Sequence, residues 1–253
     1  MTKDEVIVSK IEDRISQCVS GYYVTSTGFL DSHEQALAAI ASRNSAGMRP
    51  LMYGGYEAAE RRMLVCIPTD IPFTDEEATE GLLSVLRVEK PAISRELTHR
   101  DYLGSMLGLG IDRSVTGDIL VRPDGADIII VPEIADFLLS EYRQVGRTNI
   151  KTSLVPISAL ILPEIRTQTI RDTVPSARLD TVTSSAFKLS RSKAADAIRA
   201  GLVSVDHMEN LKPDAKVEEG AVLVLKGKGK AVLAEIGGES KKGRIWIKIE
   251  KYI

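Results

Sequence analysis

Residues 177–205 read ARLDTVTSSAFKLSRSKAADAIRAGLVSV, and the organisation of the chain turns on them. Ser190 stands just before a helical pattern, where its hydroxyl can accept a backbone N–H as an N-cap. Ala194, Ala197 and Ile198 fall at i, i+3 and i+4 and make one apolar stripe. Gly201 sits where helices commonly close in the left-handed conformation, and 202–205 leave as a short strand. Charge is the anomaly. Arg191 and Lys193 occupy the first turn, where the helix macrodipole disfavours cations by about 0.3–1 kcal/mol each. Arg178 and Lys188 crowd the same end, and Arg199 lies further along the helix. Such a start is poorly chosen for stability alone but suits a phosphate, which backbone N–H groups and cations hold together. Arg178, Lys188, Ser190, Arg191, Ser192, Lys193 and Arg199 are therefore candidate anion contacts. The plain alternative is a solvated helix end with incidental charge. If Arg191 and Lys193 serve only an anion, removing both should leave the fold equally stable or slightly more so.

Working outward, residues 178–253 hold 15 lysines and arginines against 10 acids, while residues 1–177 hold 18 against 25. The net charge of −2 conceals this asymmetry, which points to an anionic partner for the C-terminal part alone. Lys226-Gly227-Lys228-Gly229-Lys230 joins two short apolar runs and lacks the order of a nucleotide-binding loop. It is either a hairpin tip with solvated lysines or one that tracks phosphates, since clustered lysines repel unless an anion screens them. Lys241, Lys242 and Arg244 precede a last strand that places Ile245, Ile247 and Ile249 on a core side. Trp246, the only tryptophan, then shares the other side with Arg244, Lys248 and Glu250. It either stacks on an unpaired base or covers a domain junction beneath long cationic stems.

At 253 residues, the chain has room for two or three small domains. No apolar run approaches the roughly 18 residues of a membrane span, and the N-terminus is too charged for a secretion signal. Cys18 and Cys66 have no metal-type spacing and read as core thiols of a protein in a reducing cytoplasm. His33, His99 and His207 are far apart, so neither metal nor cofactor is expected. Residues 1–80 read as a small α/β domain with helices around Ile7–Ile15 and Glu34–Ile40 and a buried strand at Met63–Ile67. Gly54-Gly55 supplies a turn there, and Glu57 with Arg61 is spaced as a helical pair. Residues 81–155 follow the order β-α-β-β-α-β, the split arrangement shared with RNA-recognition domains, without their base-stacking aromatic strand. Residues 156–177, punctuated by three prolines, read as a linker whose Leu160-Ile161-Leu162 packs on the central domain.

Arg178-Leu179-Asp180, Ser190-Arg191-Ser192, Ile198, Gly201-Leu202-Val203-Ser204-Val205 and Gly220 before 221–225 resemble the RNA-binding domain first known from ribosomal protein S-four. Two positions depart from that pattern: Asp206-His207 replaces Asn-Gly, and Ala221 replaces Asp. The stretch THRDYLGSMLGLGIDRSVTGDILV, with the upstream Gly54-Gly55-Tyr56-Glu57, is similar to the bacterial YlmH-type proteins, over nearly the whole chain. The resemblance implies an α+β, multi-domain protein: a small N-terminal domain, a ferredoxin-like central domain and an S-four-type domain at 178–253. It also implies binding to the large ribosomal subunit, with contacts to rRNA and tRNA, in translation or in quality control of stalled nascent chains. An older association with cell division comes with it.

Rival classes fare worse. His99-Arg100-Asp101 lacks the Asn and the other motifs of a kinase. Arg178-Leu179-Asp180 superficially matches the nucleophile motif of pseudouridine synthases, but only 73 residues follow, and the S-four-type pattern already uses them. A methyltransferase would need a glycine-rich cofactor loop after a strand, which is not found. The expectation is a monomeric RNA-binding factor without catalysis, with a protein-binding adaptor as the alternative.

Overall fold

β-strand alternation lets single strands of this protein serve two cores at once. The computed structural model describes every residue except Met1, Asn44, 164–166, His207, 240–242 and Ile253. It divides into two compact units, Met1–Pro163 and Glu164–Ile253.

In the first unit, α1 (Lys3–Gly21) and α2 (Ser32–Ser42) each open on a capping box, Thr2 with Glu5 and Asp31 with Glu34. Each box satisfies orphan N–H groups and sets a carboxylate at the positive helix end. β1 (Thr25–Ser26), β2 (Met48–Tyr53) and β3 (Met63–Pro68) form an antiparallel sheet in the order β1-β3-β2. Every residue of β3 is buried. Leu64 and Cys66 join Ile11, Cys18 and Ala38 beneath the helices, whereas Met63, Val65 and Ile67 join Phe29 and Ile129 on the other side. Cys18 and Cys66 are buried free thiols.

After α3 (Asp75–Thr79) come β4 (Ser84–Glu89), α4 (His99–Gly108), β5 (Thr116–Arg122), β6 (Gly125–Ile130) and α5 (Ala135–Glu141). A small hairpin, β7 (Gln144–Val145) and β8 (Thr148–Asn149), precedes β9 (Lys151–Pro156). The four long strands form an antiparallel sheet ordered β5-β6-β4-β9, the split β-α-β topology. α4 and α5 cover one face, with Tyr102, Met106 and Leu138 against Leu86, Ile128 and Ile130. Thr98 caps α4, and the Asp101 carboxylate accepts the Thr98 N–H at 2.7 Å and pairs with Arg95. His99-Arg100-Asp101 is thus a helix start.

The opposite face of this sheet is covered too. Ile129 packs on Phe29, Met63 and Val65, and a Cβ on Gly117 would come within 2.7 Å of the Phe29 ring. Further along, Asp127 is fully buried between Arg87, at 2.8 Å, and Arg122. The Ile161 N–H also donates to Asp127, and Arg87 donates to the Ala159 carbonyl. Along the central strand β6, the surface on which RNA-recognition sheets stack bases is interior here, which accounts for its lack of aromatic residues.

Three stretches differ from expectation. Residues 54–60 form no helix: Asp118 accepts the Tyr56 hydroxyl at 2.8 Å and the Glu60 and Arg61 N–H groups. Arg61 donates to the carbonyls of Phe29, Arg113 and Thr116 rather than pairing with Glu57, because its fork of donors satisfies backbone acceptors that water does not reach. Leu160 packs on the cluster around Phe29, but Ile161 and Leu162 are exposed. Finally, 156–177 is not all linker, since it contains β10 (Thr167–Val174).

In the second unit, β10 is followed by α6 (Leu179–Phe187), α7 (Arg191–Arg199), β11 (Val203–Val205), β12 (Met208–Glu209), β13 (Val222–Leu225), β14 (Gly229–Glu239) and β15 (Ile245–Tyr252). The strands make one sheet, ordered β10-β15-β14-β13-β11-β12. α6 and α7 cover one face, where Leu179, Val182, Phe187 and Ile198 meet Leu223, Leu233, Ile247 and Ile249.

Burial works against ionisation of Asp127, but hydrogen bonds from Arg87, Ile161 and Arg122 prevail and hold its carboxyl below the usual range. A depressed folded pKa contributes stability above the unfolded value and loses it as pH falls through the folded value. Asp127→Ala should leave Arg87, 20% exposed, without a carboxylate and Arg122, 8% exposed, with Asp124 alone, costing about 3–5 kcal/mol in urea unfolding at pH 7. The difference from the parent should shrink in acid. A loss within about 0.5 kcal/mol would contradict this role.

Candidate nucleic-acid interface

Local sequence builds the elbow between α6 and α7. α6 ends on Lys188, a non-glycine residue held at φ 52°, whose N–H bonds the Ser184 carbonyl. The Ser184 hydroxyl in turn donates to the Leu189 carbonyl. Ser190 then caps α7, its Oγ accepting the Lys193 N–H at 3.3 Å with the Ser192 hydroxyl 3.2 Å away. Ala194 and Ile198 face the core and Gly201 closes the helix at φ 67°, as the pattern predicts. Lys188, Ser190, Arg191, Ser192 and Lys193 are all exposed around this turn.

Beneath it lies Asp180, whose side chain is only 5% exposed. Arg178 Nε and Nη2 donate to its two oxygens at 3.2 and 3.3 Å, and Arg191 Nε donates to Oδ2 at 2.8 Å. Burial pushes the Asp180 carboxyl up, but the hydrogen bonds and charges of Arg191 and Arg178 pull it below its ordinary range. Arg191 therefore has a structural partner eleven residues back, which corrects the expectation that it serves an anion alone. A buried carboxylate costs several kcal/mol to desolvate, far more than the dipole conflict that Arg191 brings. Two guanidinium groups against one carboxylate still leave the elbow positive. Lys188 and Lys193 add to that surplus and make no ion pair among the described residues.

The other candidates lie elsewhere. Arg199 is at the far end of α7, paired with Asp196 at 3.1 Å. Lys226 and Lys228 are exposed in the β13–β14 turn beside Leu202. Lys230 is not part of that tip: it lies in β14 with its ammonium 5.0 Å from the Tyr252 ring. Arg244 ties β15 to β10 through the Thr173 hydroxyl and carbonyl. Trp246 is 52% exposed on the sheet face opposite the helices. Lys241 and Lys242 lie outside the described residues. Asp206, where the S-four pattern has Asn, adopts φ 49° and its carboxylate accepts the Val222 N–H, so the turn keeps a left-handed residue. Arg171 and Tyr252, on the same sheet face as Trp246, were passed over in the sequence; the first lies in the supposed linker.

Residues 78–159 match the family model described as "Putative RNA-binding domain in YlmH", which places the chain in a class of RNA-binding proteins. The ribosome-associated protein quality control protein P2 of Bacillus subtilis (strain 168) is 31% identical over 231 residues, covering 91% of this chain and 88% of that protein. The chain belongs to the YlmH family. The structure of the cell division protein ylmH from Streptococcus pneumoniae shares the fold, with a TM-score of 0.51 at 21% identity over 64% of this chain and 96% of that one.

Arg191→Ala should leave Asp180 with Arg178 alone. With Arg191 half exposed, the expected loss is about 1–2 kcal/mol at pH 7, read by thermal unfolding. Because the Asp180 pKa is depressed in the fold, this loss should fade below pH ~4. A variant as stable as its parent at pH 7 would restore the view of Arg191 as a surface cation.

Proposed function

We propose that this chain is a non-catalytic RNA-binding factor of the large ribosomal subunit, and that the α6–α7 elbow is its rRNA anchor. The observation that carries this is the unneutralised charge at the elbow. Lys188 and Lys193 stand exposed beside Arg178 and Arg191 with no structural task of their own. The helix pair on an antiparallel sheet, with Ser190 as cap and Gly201 as closure, supports assigning residues 178–253 to the S-four type. The β-α-β-β-α-β order likewise supports an RNA-recognition-like central domain, although its sheet face is buried.

The name of the Bacillus relative supports a role in ribosome-associated quality control, and we propose tRNA on the subunit as a second contact. Absence of catalysis is favoured by Asp180, since a nucleophile must reach its base, whereas both oxygens here are held by arginines under cover. We further propose a cytoplasmic monomer; the buried free thiols of Cys18 and Cys66 suit a reducing compartment. Among the described residues no helix is long and apolar enough to cross a membrane.

The double variant Lys188→Ala, Lys193→Ala separates binding from folding. Its melting temperature should stay at the parent value, because both side chains are exposed and unpaired. Co-sedimentation with large subunits should fall, and the salt dependence of binding should flatten by about 0.7–0.9 per lost phosphate contact. Unchanged co-sedimentation would overturn the anchor.

A further inference from the structure

We infer that the open face of the C-terminal sheet is a second RNA site, which takes an unpaired strand by stacking its bases on Trp246 and Tyr252. This rests on the RNA-binding reading above and adds a different surface and a different RNA class.

Alternation along β15 sends Ile247 and Ile249 beneath the helices and leaves Trp246, Lys248, Glu250 and Tyr252 on the opposite face. β10 supplies the neighbours, with Thr173 opposite Trp246 and Arg171 opposite Lys248. On the other flank, Glu235 of β14 stands opposite Lys248, and Lys230 reaches the Tyr252 ring. Irregular pairing in β14 between Ile236 and Glu239 sets Gly237 beside Trp246. A Cβ there would lie 3.3 Å from the Trp246 Cβ, so glycine lets β14 pass close beside Trp246. The groove has a volume of about 330 Å³, with Arg171, Trp246 and Lys248 among its lining residues.

The chemistry around the indole selects the occupant. Trp246 is half exposed, yet its neighbours are Thr173, Arg171, Lys248 and Glu235, so no apolar patch surrounds it as at a protein hot spot. Arg171 is exposed and makes no ion pair among the described residues, whereas Lys248 is shared with Glu250 at 3.2 Å. Among the described residues of β10, β14 and β15 on this face, Arg171 is therefore the cation left without a carboxylate. Two aromatic side chains six residues apart, about 20 Å along the strand, with cations between and beside them, match a chain of flat bases joined by phosphates. A duplex cannot use such a face, because its bases already stack on one another.

The test uses the full-length protein, an oligouridine of about ten nucleotides and an RNA duplex of the same length. Labelled-RNA anisotropy reports binding, and iodide quenching of the only tryptophan reports contact. Trp246 should be freely quenched in the free protein, protected by the oligouridine and still quenched with the duplex. Trp246→Ala should weaken oligouridine binding roughly 5- to 150-fold, the equivalent of one base–aromatic stack, with duplex affinity and melting temperature unchanged. Oligouridine that binds equally well to Trp246→Ala while leaving the indole open to iodide would overturn the platform and spare the elbow. Equal protection by the duplex would overturn the preference for unpaired RNA. Failure to bind either RNA would remove this site and the RNA-binding reading together.

Discussion

A carboxylate with 5% of its side chain exposed cannot stay ionised without cations, so Asp180 draws Arg178 and Arg191 across the elbow of α6 and α7. The placing of both guanidinium groups follows from that. Arg191 is placed in the first turn of α7 by its partner, at a cost to the helix dipole that the ion pair outweighs. The guanidinium groups are then preorganised at the surface, one side bonded inward and the other free for solvent. Lys188 and Lys193 share that surface without sharing the partner. On the proposed reading, stability and affinity reside in different residues of one cluster, which lets mutation separate them.

The two large sheets of the protein have opposite fates. In the first unit, β6 is buried along its whole length, because α4 and α5 lie on one side and the β1-β3-β2 sheet with the Asp127 network on the other. A domain whose topology suggests base stacking has its central strand β6 enclosed on both faces, while the edge strand β9 stays largely exposed. In the second unit, helices cover a single face, and the other presents Trp246, Tyr252 and Arg171. The platform inferred above therefore lies in the half of the chain that topology alone would not single out.

Features carried by short-range chemistry were legible in the sequence. Ser190 as cap, Gly201 as closure and the alternation of Ile245, Ile247 and Ile249 each depend on residues within a turn or a strand. Ile245 is nevertheless only half-buried, at the strand's end. What escaped was long-range. Arg191 looks like a misplaced cation until Asp180 is brought beneath it, and the loop 54–60 looks helical until Asp118 gathers its N–H groups. β10 looks like a linker because an edge strand with only Ile170 and Val174 facing the core carries little apolar signal. Arg171 was missed with it.

Cryo-EM of the protein bound to large ribosomal subunits tests the central claim most directly. The elbow should lie against rRNA, with Lys188 and Lys193 in reach of backbone phosphates and Asp180 still enclosed by Arg178 and Arg191. A map in which the elbow faces solvent, while residues 1–163 make every contact with the particle, would contradict it.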